Sequence, residues 1–311
     1  GESVGMGVDV ELVSGVQGEK VPQTARYEWS LQGIDGRPVS SDAAGSGSIS
    51  QGGKSALSSR LQLQPGAYRM AIRGEMALQD GTTQPFICRS RPFTVLTEAQ
   101  ASLRAGKLPA PEPTNGKPRV GVLVGGYGGK GIVQALEGVE GIELQQVSEV
   151  TPEVARRCRA LIITQNRSGV GDEALAKALH NWVEAGGAIL TTHDAVGYRS
   201  HPAIAPEIAT GVDHTKSDTV RIVEPDMTPP GLTDGLLKHA FYDHVLLKAG
   251  EKAEVLATDA AGKPVIVSGI LGKGRYCASG IAFGLNAETE DQRPGEPESY
   301  VLRKIVEWLV Q

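Results

Sequence analysis

Residues 186–197 read GGAILTTHDAVG, and this stretch combines a helix end, a strand and a sharp turn. Gly186 and Gly187 follow a helical pattern over residues 172–185, and glycines in this position are typical of a helix end. The apolar run over residues 188–192 predicts a strand. His193 then stands at the start of a sharp turn that leaves this strand.

Strands and helices alternate on the N-terminal side of this stretch. The uninterrupted apolar run at 120–124 is typical of a strand covered on both faces of its sheet. Further strands are predicted at 142–147 and 160–164, with helices at 131–136, 152–157 and 172–185. Four such alternations predict a parallel sheet with right-handed crossovers, which is a doubly wound, flavodoxin-like α/β domain. Additional strands, with antiparallel pairing, are predicted at 219–223, 253–258, 264–268 and 274–279, and a closing helix at 300–310.

The first 97 residues have a different pattern. Short runs rich in Val, Leu, Ile, Tyr and Phe are separated by turn signals, which predicts an all-β immunoglobulin-like sandwich domain over residues 1–97. Gln64-Pro65-Gly66-Ala67-Tyr68 resembles a tyrosine corner, and Trp29 is expected in the core. Residues 98–117 are a Pro-rich linker, and residues 118–311 form the α/β domain.

Composition restricts the class of protein. The chain has 311 residues, 40% of them hydrophobic and 22% charged, which is typical of a globular protein. The net charge of −5 argues against a nucleic-acid partner, because such domains usually carry a basic field. No apolar run approaches the ~20 residues that span a bilayer, so no membrane span is expected. The three cysteines form no CxxC pair, which argues against a cysteine zinc site.

The stretch at 186–197 resembles the nucleophile elbow of the class I glutamine amidotransferase-like superfamily. Within that superfamily it is most similar to the ThuA-like branch, which carries His at the elbow. The order of the later segments 231–236, 253–258, 263–267 and 272–276 supports the resemblance, which covers residues 119–311. The resemblance implies an amidotransferase-like domain with its site at the carboxyl edge of the sheet.

The same comparison predicts that glutaminase chemistry is lost. That chemistry needs a thiolate at the elbow, a His to activate it and an acid to orient the His. Here His193 holds the elbow position, and no His stands in the segment 284–288 where the family's His-x-Glu pair would fall. Cys158 and Cys277 lie before and within predicted strands and are not placed as nucleophiles.

The expected site residues surround this elbow. A catalytic reading uses His193 with Asp243 or His244 as acid, base or metal ligand. The predicted ligand-binding residues are Gly126, Tyr127, Arg167, Asp194 and Tyr198.

Two cofactor questions stay open at this stage. Five of the six histidines lie between residues 193 and 244, and imidazoles with nearby carboxylates can hold a divalent metal, although their spacing fits no compact motif such as HExxH. Residues 126–131 fit the dinucleotide pattern G-x-G-x-x-G, but a tight strand-to-helix turn needs the same glycines. The sequence therefore identifies no cofactor, and the cofactor is unknown.

Three functions fit these residues. The first is an amidotransferase-like protein without the Cys-His-Glu triad that binds a small polar or carbohydrate ligand at the His193 elbow. The second is a ThuA-like sugar-modifying enzyme that uses His193 with or without a metal. The third is a non-catalytic oligomerisation or interaction module, which would make a homo-oligomer. By analogy with exported bacterial proteins, a periplasmic or extracellular location is expected, with a cytoplasmic one as the alternative.

Overall fold

A computed structural model describes most of the chain. The described residues are 4–11, 22–33, 35–40, 44–50, 54–61, 63–90, 93–95, 101–103, 105–164, 172–232 and 234–311. The chain divides into two compact units, Gly1–Thr97 and Glu98–Gln311.

The first unit consists of antiparallel strands in the part that the structure describes. They are β1 (Val4–Glu11), β2 (Pro22–Gly33), β3 (Ala44–Ser50), β4 (Lys54–Leu61), β5 (Gly66–Leu78), β6 (Thr83–Arg89) and β7 (Phe93–Val95). Five of them form one sheet of order β3-β2-β5-β6, with β7 on β5, and β1 pairs with β4 in a separate ribbon. One large sheet and a ribbon replace the two sheets of three or four strands expected of an immunoglobulin-like sandwich.

Alternate residues of β2 build the core of this unit. Ala25, Tyr27 and Trp29 point to the same face and are buried together with Ile49 and Met70. Strand β3 makes room for the aromatic rings through its glycines. A Cβ atom at Gly45 or Gly47 would lie within 2.6 Å of the Trp29 or Tyr27 side chain. The predicted core position of Trp29 therefore depends on small residues in the neighbouring strand.

The tyrosine corner is present as a hydrogen bond. The Tyr68 hydroxyl donates to the Gln64 carbonyl oxygen at 2.6 Å, and the Tyr68 side chain is buried. We expect Tyr68→Phe to lower the free energy of unfolding of the first unit by about 1 kcal/mol, the usual net value of one such bond. Calorimetric unfolding measures this change. Tyr127→Phe, which removes the same oxygen from a half-exposed ring of the second unit, should leave that transition unchanged, and equal effects would contradict the assignment.

The second unit contains eleven strands and four complete α-helices in its described part, where residues 101–103 are also helical. In chain order they are β8 (Arg119–Leu123), α1 (Gly129–Leu136), β9 (Glu143–Val147), α2 (Pro152–Arg157), β10 (Ala160–Ile163), α3 (Asp172–Glu184), β11 (Ala188–Thr192), β12 (Ala209–Thr215), β13 (Thr219–Ile222), β14 (Leu236–Lys238), β15 (His244–Ala249), β16 (Ala253–Thr258), β17 (Pro264–Leu271), β18 (Gly274–Ser279) and α4 (Glu296–Val310).

The prediction of a doubly wound, flavodoxin-like sheet is wrong. The main sheet has nine strands in the order β14-β13-β16-β17-β18-β11-β10-β8-β9. Pairing is parallel from β18 to β9 and antiparallel from β14 to β18, and β12 and β15 form a further antiparallel pair. Short turns join β16 to β17 and β17 to β18. A parallel pair needs a crossover of a dozen or more residues, so these short turns impose antiparallel pairing.

The parallel strands feed two cores, one on each face of the sheet. In β10, Ala160 and Ile162 belong to the core beneath α1 and α4, whereas Leu161 and Ile163 belong to the core beneath α2 and α3. Each fully buried Leu, Ile or Val contributes about 1.5 to 3 kcal/mol. Burial on both faces explains why these strands are apolar without alternation. The strand order places β11 in the interior of the sheet, between β10 and β18.

Candidate functional site

The carboxyl end of β11 carries a strained residue. His193 directly follows the strand and begins a 3₁₀ turn, His193–Val196, with a left-handed backbone φ of 48°. Arg199, six residues later, has a φ of 55°. Side chains other than glycine rarely adopt this conformation, and it costs on the order of 1 to 3 kcal/mol at each position. Such strain is concentrated at functional sites, which makes this edge the leading candidate.

Two aspartates hold the His193 imidazole. Its Nε2 lies 3.0 Å from Oδ1 of Asp243, and its Nδ1 lies 3.1 Å from Oδ1 of Asp194. Burial lowers the pKa of His193, but the hydrogen bonds and negative charges of the two aspartates outweigh burial, so this pKa lies above its ordinary value. Both ring nitrogens therefore face carboxylates, an arrangement that favours the protonated form of the ring.

Asp194 also contacts residues that lie closer to the surface. Its Oδ2 lies 3.5 Å from the Arg199 guanidinium, which stands over the Tyr198 ring at 5.3 Å. The Tyr198 hydroxyl lies 3.1 Å from Nδ1 of His214. Burial alone would raise the pKa of Asp194. The nearby His193, Arg199 and His201 together lower this pKa by more than burial raises it, so the net shift is downwards. Asp194 is thus an anion between two cationic side chains.

Aromatic rings connect His193 to the surface. The Phe241 ring meets the imidazole edge to face at 5.7 Å, and the Tyr242 ring lies 4.4 Å from Phe241. Tyr242 is 48% exposed and Tyr127 is 51% exposed. Phe241 packs on Ala282 and Leu285, and a Cβ atom at Gly128 would touch the Phe283 carbonyl oxygen. Both loops that carry an exposed tyrosine therefore lie against the segment that follows β18.

His244 belongs to a different pair, although it is adjacent to Asp243 in sequence. Its Nδ1 lies 3.0 Å from the Ser217 carbonyl oxygen and 3.3 Å from Nε2 of His239. Since a carbonyl only accepts, Nδ1 of His244 carries the proton, and Nε2 of His239 accepts it. Burial and the neighbouring His244 lower the pKa of His239 to about 4, and burial lowers that of His244. This buried pair is uncharged at neutral pH, and only Asp243 of the two predicted partners contacts His193.

The histidines do not gather into one cluster. His193 lies with the aspartates, His214 with Tyr198, and His239 with His244. Among the described residues, no group of three or more His, Cys, Asp or Glu side chains has an arrangement that could hold a metal ion. Arg167 lies outside the described residues, so its predicted role as a ligand clamp has no structural description.

The glycine-rich loop of residues 126–131 is filled by the chain itself. Asp291 accepts hydrogen bonds from the backbone N–H groups of Gly128 at 2.7 Å and Lys130 at 3.0 Å. In a dinucleotide site these N–H groups at the helix start would bind the pyrophosphate. A Cβ atom at Gly131 would lie 2.2 Å from the carbonyl oxygens of Gln292 and Gly284. Close packing of the loop against residues 283–292 therefore explains its glycines. The carbonyl oxygen of Gly126, a predicted ligand contact, accepts from Gly129 within the same turn.

The thiols of the second unit lie away from the edge. Cys277 is fully buried within β18, and burial raises its pKa strongly. Cys158 is buried at the end of α2, and burial raises its pKa to about 11. A thiol with a raised pKa is a poor nucleophile at neutral pH. Cys88 belongs to β6 in the first unit.

Sequence reasoning missed Glu298, which ties two loops of the edge together. Its carboxyl group accepts hydrogen bonds from the backbone N–H of Ala240 at 2.9 Å and of Gly284 at 3.3 Å. Burial raises the pKa of Glu298 to about 7, while these two donors oppose the increase. Glu298 is a positioning residue for the loops that carry Phe241 and Phe283. An acid in the first turn of a helix is usually exposed and interacts with the helix dipole. The position of Glu298 in the sequence therefore did not indicate that it binds two loops.

Comparisons with known proteins give structural neighbours only. No family model matches the chain, and no curated protein matches it. No helix of the described residues has the length and apolarity needed to cross a membrane.

Three solved structures illustrate the likeness. The cytoplasmic protein STM3548 of Salmonella typhimurium is 13% identical, with a TM-score of 0.44 over 61% of this chain and 97% of its own. The cytoplasmic protein STM1381 of Salmonella typhimurium LT2 is 14% identical, with a TM-score of 0.42 over 73% and 89%. The exo-beta-1,4-mannosidase Op5Man5 of Opitutaceae bacterium strain TAV5 is 18% identical, with a TM-score of 0.36 over 54% of this chain and 31% of its own. All three TM-scores are below 0.5, and no conclusion rests on them.

Proposed function

We propose that the carboxyl edge around His193 binds a small polar ligand of the carbohydrate type and does not hydrolyse glutamine. The strained backbone of His193, combined with an imidazole held between two buried aspartates, is the observation that supports this proposal most directly. The strained backbone lowers the stability of the protein. Residues strained in this way are found at functional sites, where they hold polar groups in a fixed arrangement.

The contacts of His193 favour ligand binding over base catalysis. A general base must direct a lone pair at the substrate, whereas both ring nitrogens of His193 face carboxylates. The aspartate oxygens, by contrast, keep lone pairs beyond those that face the ring, since each carboxylate has about four acceptor sites. Asp243 can therefore accept a hydrogen bond from a ligand hydroxyl group while it holds the imidazole.

The two half-exposed tyrosines supply an apolar complement. Tyr127 and Tyr242 present aromatic faces on loops that share one packing partner, the segment after β18. Binding sites for small molecules usually combine aromatic walls with a few fixed polar groups. A sugar ring has one apolar C–H face and a rim of hydroxyl groups, and it matches both features of this edge.

Titration calorimetry with a panel of neutral mono- and disaccharides tests the proposal. We expect saturable binding of at least one sugar, and Tyr242→Ala should weaken it by about tenfold, since one aromatic contact is worth about 0.5 to 1.5 kcal/mol beyond its area. Tyr242 is the preferred position because its exposure lets the variant fold normally. Tyr300→Ala removes a tyrosine of α4 outside this edge and should leave sugar binding unchanged.

Two results would sink the proposal. One is the failure of every sugar to give a saturable heat at millimolar concentration. The other is ammonia release from glutamine above the rate without protein. If a bound sugar were converted, chromatography of the titrated solution would show the product and assign an enzyme instead of a binding protein.

A further inference from the structure

A groove on the α4 face of the main sheet lies apart from the His193 edge. It has a volume of about 630 Å³ and lies between α4, the strands β16 and β17, and the 3₁₀ turn Pro225–Met227. Tyr300, Lys304 and Trp308 of α4 form one wall. These residues are four apart, so they stand on the same face of the helix. None of the residues discussed for the His193 edge lines this groove.

The floor of the groove is a row of three side chains on adjacent strands. Ser268 of β17 is paired with Glu254 of β16 on one side and with Cys277 of β18 on the other. Directly paired residues point to the same face of a sheet and lie about 5 Å apart. All three line the groove.

The hydroxyl of Ser268 has no partner at this position. Ser268 is 3% exposed and lines the groove, and within the described part of the chain its side chain forms no hydrogen bond. A ligand donor that reaches the floor of the groove can therefore bind the Ser268 hydroxyl oxygen.

The charge of the groove is negative. Four carboxylate residues, Glu224, Asp226, Glu254 and Glu307, line it with one ammonium group, that of Lys304, and the Arg275 guanidinium lies beside it over the Trp308 ring. The ammonium group of Lys304 contacts both a carboxylate and an aromatic ring of the groove. Its Nζ lies 2.8 Å from Glu307 and stands over the Tyr300 ring at 5.7 Å. Carboxylates and an aromatic face are the two groups that attract an organic cation most strongly.

We propose that this groove binds a small organic cation, a primary amine with a short apolar chain. The ammonium group would donate to Ser268 and Glu254 at the floor, since an ammonium has three donors and no acceptor. The apolar chain would lie between Leu256 of the sheet and Trp308 of the helix. This site is independent of the carbohydrate site proposed above, and neither needs the other.

Pentylamine and its neutral isostere 1-pentanol test the proposal at pH 7. The indole N–H resonance of Trp308 in a nitrogen–proton NMR spectrum is the readout, and Trp308→Phe assigns it. Pentylamine should shift this resonance to saturation, and 1-pentanol should bind at least about tenfold more weakly, because a charge-assisted hydrogen bond is worth about 1.5 to 3 kcal/mol.

Charge-removing variants locate the binding. Glu254→Gln should weaken pentylamine binding about tenfold, and Ser268→Ala by a smaller factor, since it removes a neutral acceptor. Glu251→Gln removes the same charge from the exposed turn before β16, outside the groove, and should leave binding unchanged. Equal binding of pentylamine and 1-pentanol, equal effects of the Glu254 and Glu251 changes, or no saturable shift of Trp308 would each overturn the proposal.

Discussion

Replacing Asp194 by asparagine is expected to lower the free energy of unfolding of the second unit by about 3 to 5 kcal/mol at pH 5.5, which is the usual cost of removing one partner from a buried ion pair. Asp194 is 2% exposed and faces the His193 imidazolium at 3.1 Å and the Arg199 guanidinium at 3.5 Å. The amide of asparagine carries no charge, so it leaves two cations with less compensation. Urea unfolding of the two proteins measures the difference.

The pH dependence of this difference identifies its cause. The pKa of Asp194 is lowered by folding, so its contribution is present above the unfolded value near 4 and is lost as the pH falls. The pKa of His193 is raised by folding, so its contribution is complete below about 6.5 and is lost as the pH rises through the folded value. The stability gap between the two proteins should therefore be largest between about pH 4 and 6.5 and should shrink on both sides.

An exposed pair provides the control for Asp194. The side chain of Asp213 is 63% exposed and lies 3.9 Å from Nδ1 of His214. Exposed pairs contribute about 0 to 1 kcal/mol, so Asp213→Asn should change the free energy of unfolding by less than the Asp194 change at every pH. A gap for Asp194→Asn that stays constant from pH 4 to 8 would show that its cause is packing and not charge.

The sequence predicted the parallel half of the sheet because burial on both faces leaves an unmistakable pattern. Residues 120–124, 160–164 and 188–192 are mostly apolar, and the strands were found there. The later strands were predicted with antiparallel pairing, but only as additions to a doubly wound sheet, whereas they form nearly half of the main sheet. The signal was in the connections, because the turns at 259–263 and 272–273 are too short for a parallel crossover.

In the candidate site, too, some features could be predicted from the sequence and others could not. The position of His193 at the end of β11 follows from local sequence, whereas its partners come from distant segments. Asp243 and His244 were both proposed as partners, yet consecutive residues in extended chain point to opposite sides. Only one of them could face His193, and it is Asp243. Glu298 and Asp291 had no signal, because their hydrogen-bond partners are set by tertiary packing and not by spacing along the chain.

Replacing Gly131 by alanine is expected to lower the free energy of unfolding of the second unit by about 3 kcal/mol, the upper end of the usual cost of overpacking. Two effects compete at this position. Gly131 lies within α1, where alanine is favoured over glycine by about 1 kcal/mol. Its Cβ atom would lie 2.2 Å from two backbone carbonyl oxygens, those of Gln292 and Gly284, which cannot rotate away as a flexible side chain would. The steric effect should therefore win.

The outcome also separates two explanations of the glycine-rich loop. If its glycines served a bound pyrophosphate, Gly131→Ala would impair binding of NADH and would slightly stabilise the ligand-free protein, because alanine favours the helix. If they serve close packing against residues 283–292, the variant loses stability with no ligand present. Gly116→Ala is the matched control, since a Cβ atom there would meet nothing within 4 Å, and thermal unfolding of the three ligand-free proteins decides between the explanations. A melting temperature for Gly131→Ala equal to or above that of the parent protein would contradict the packing explanation, and Asp291 would then be a replaceable occupant of the helix start.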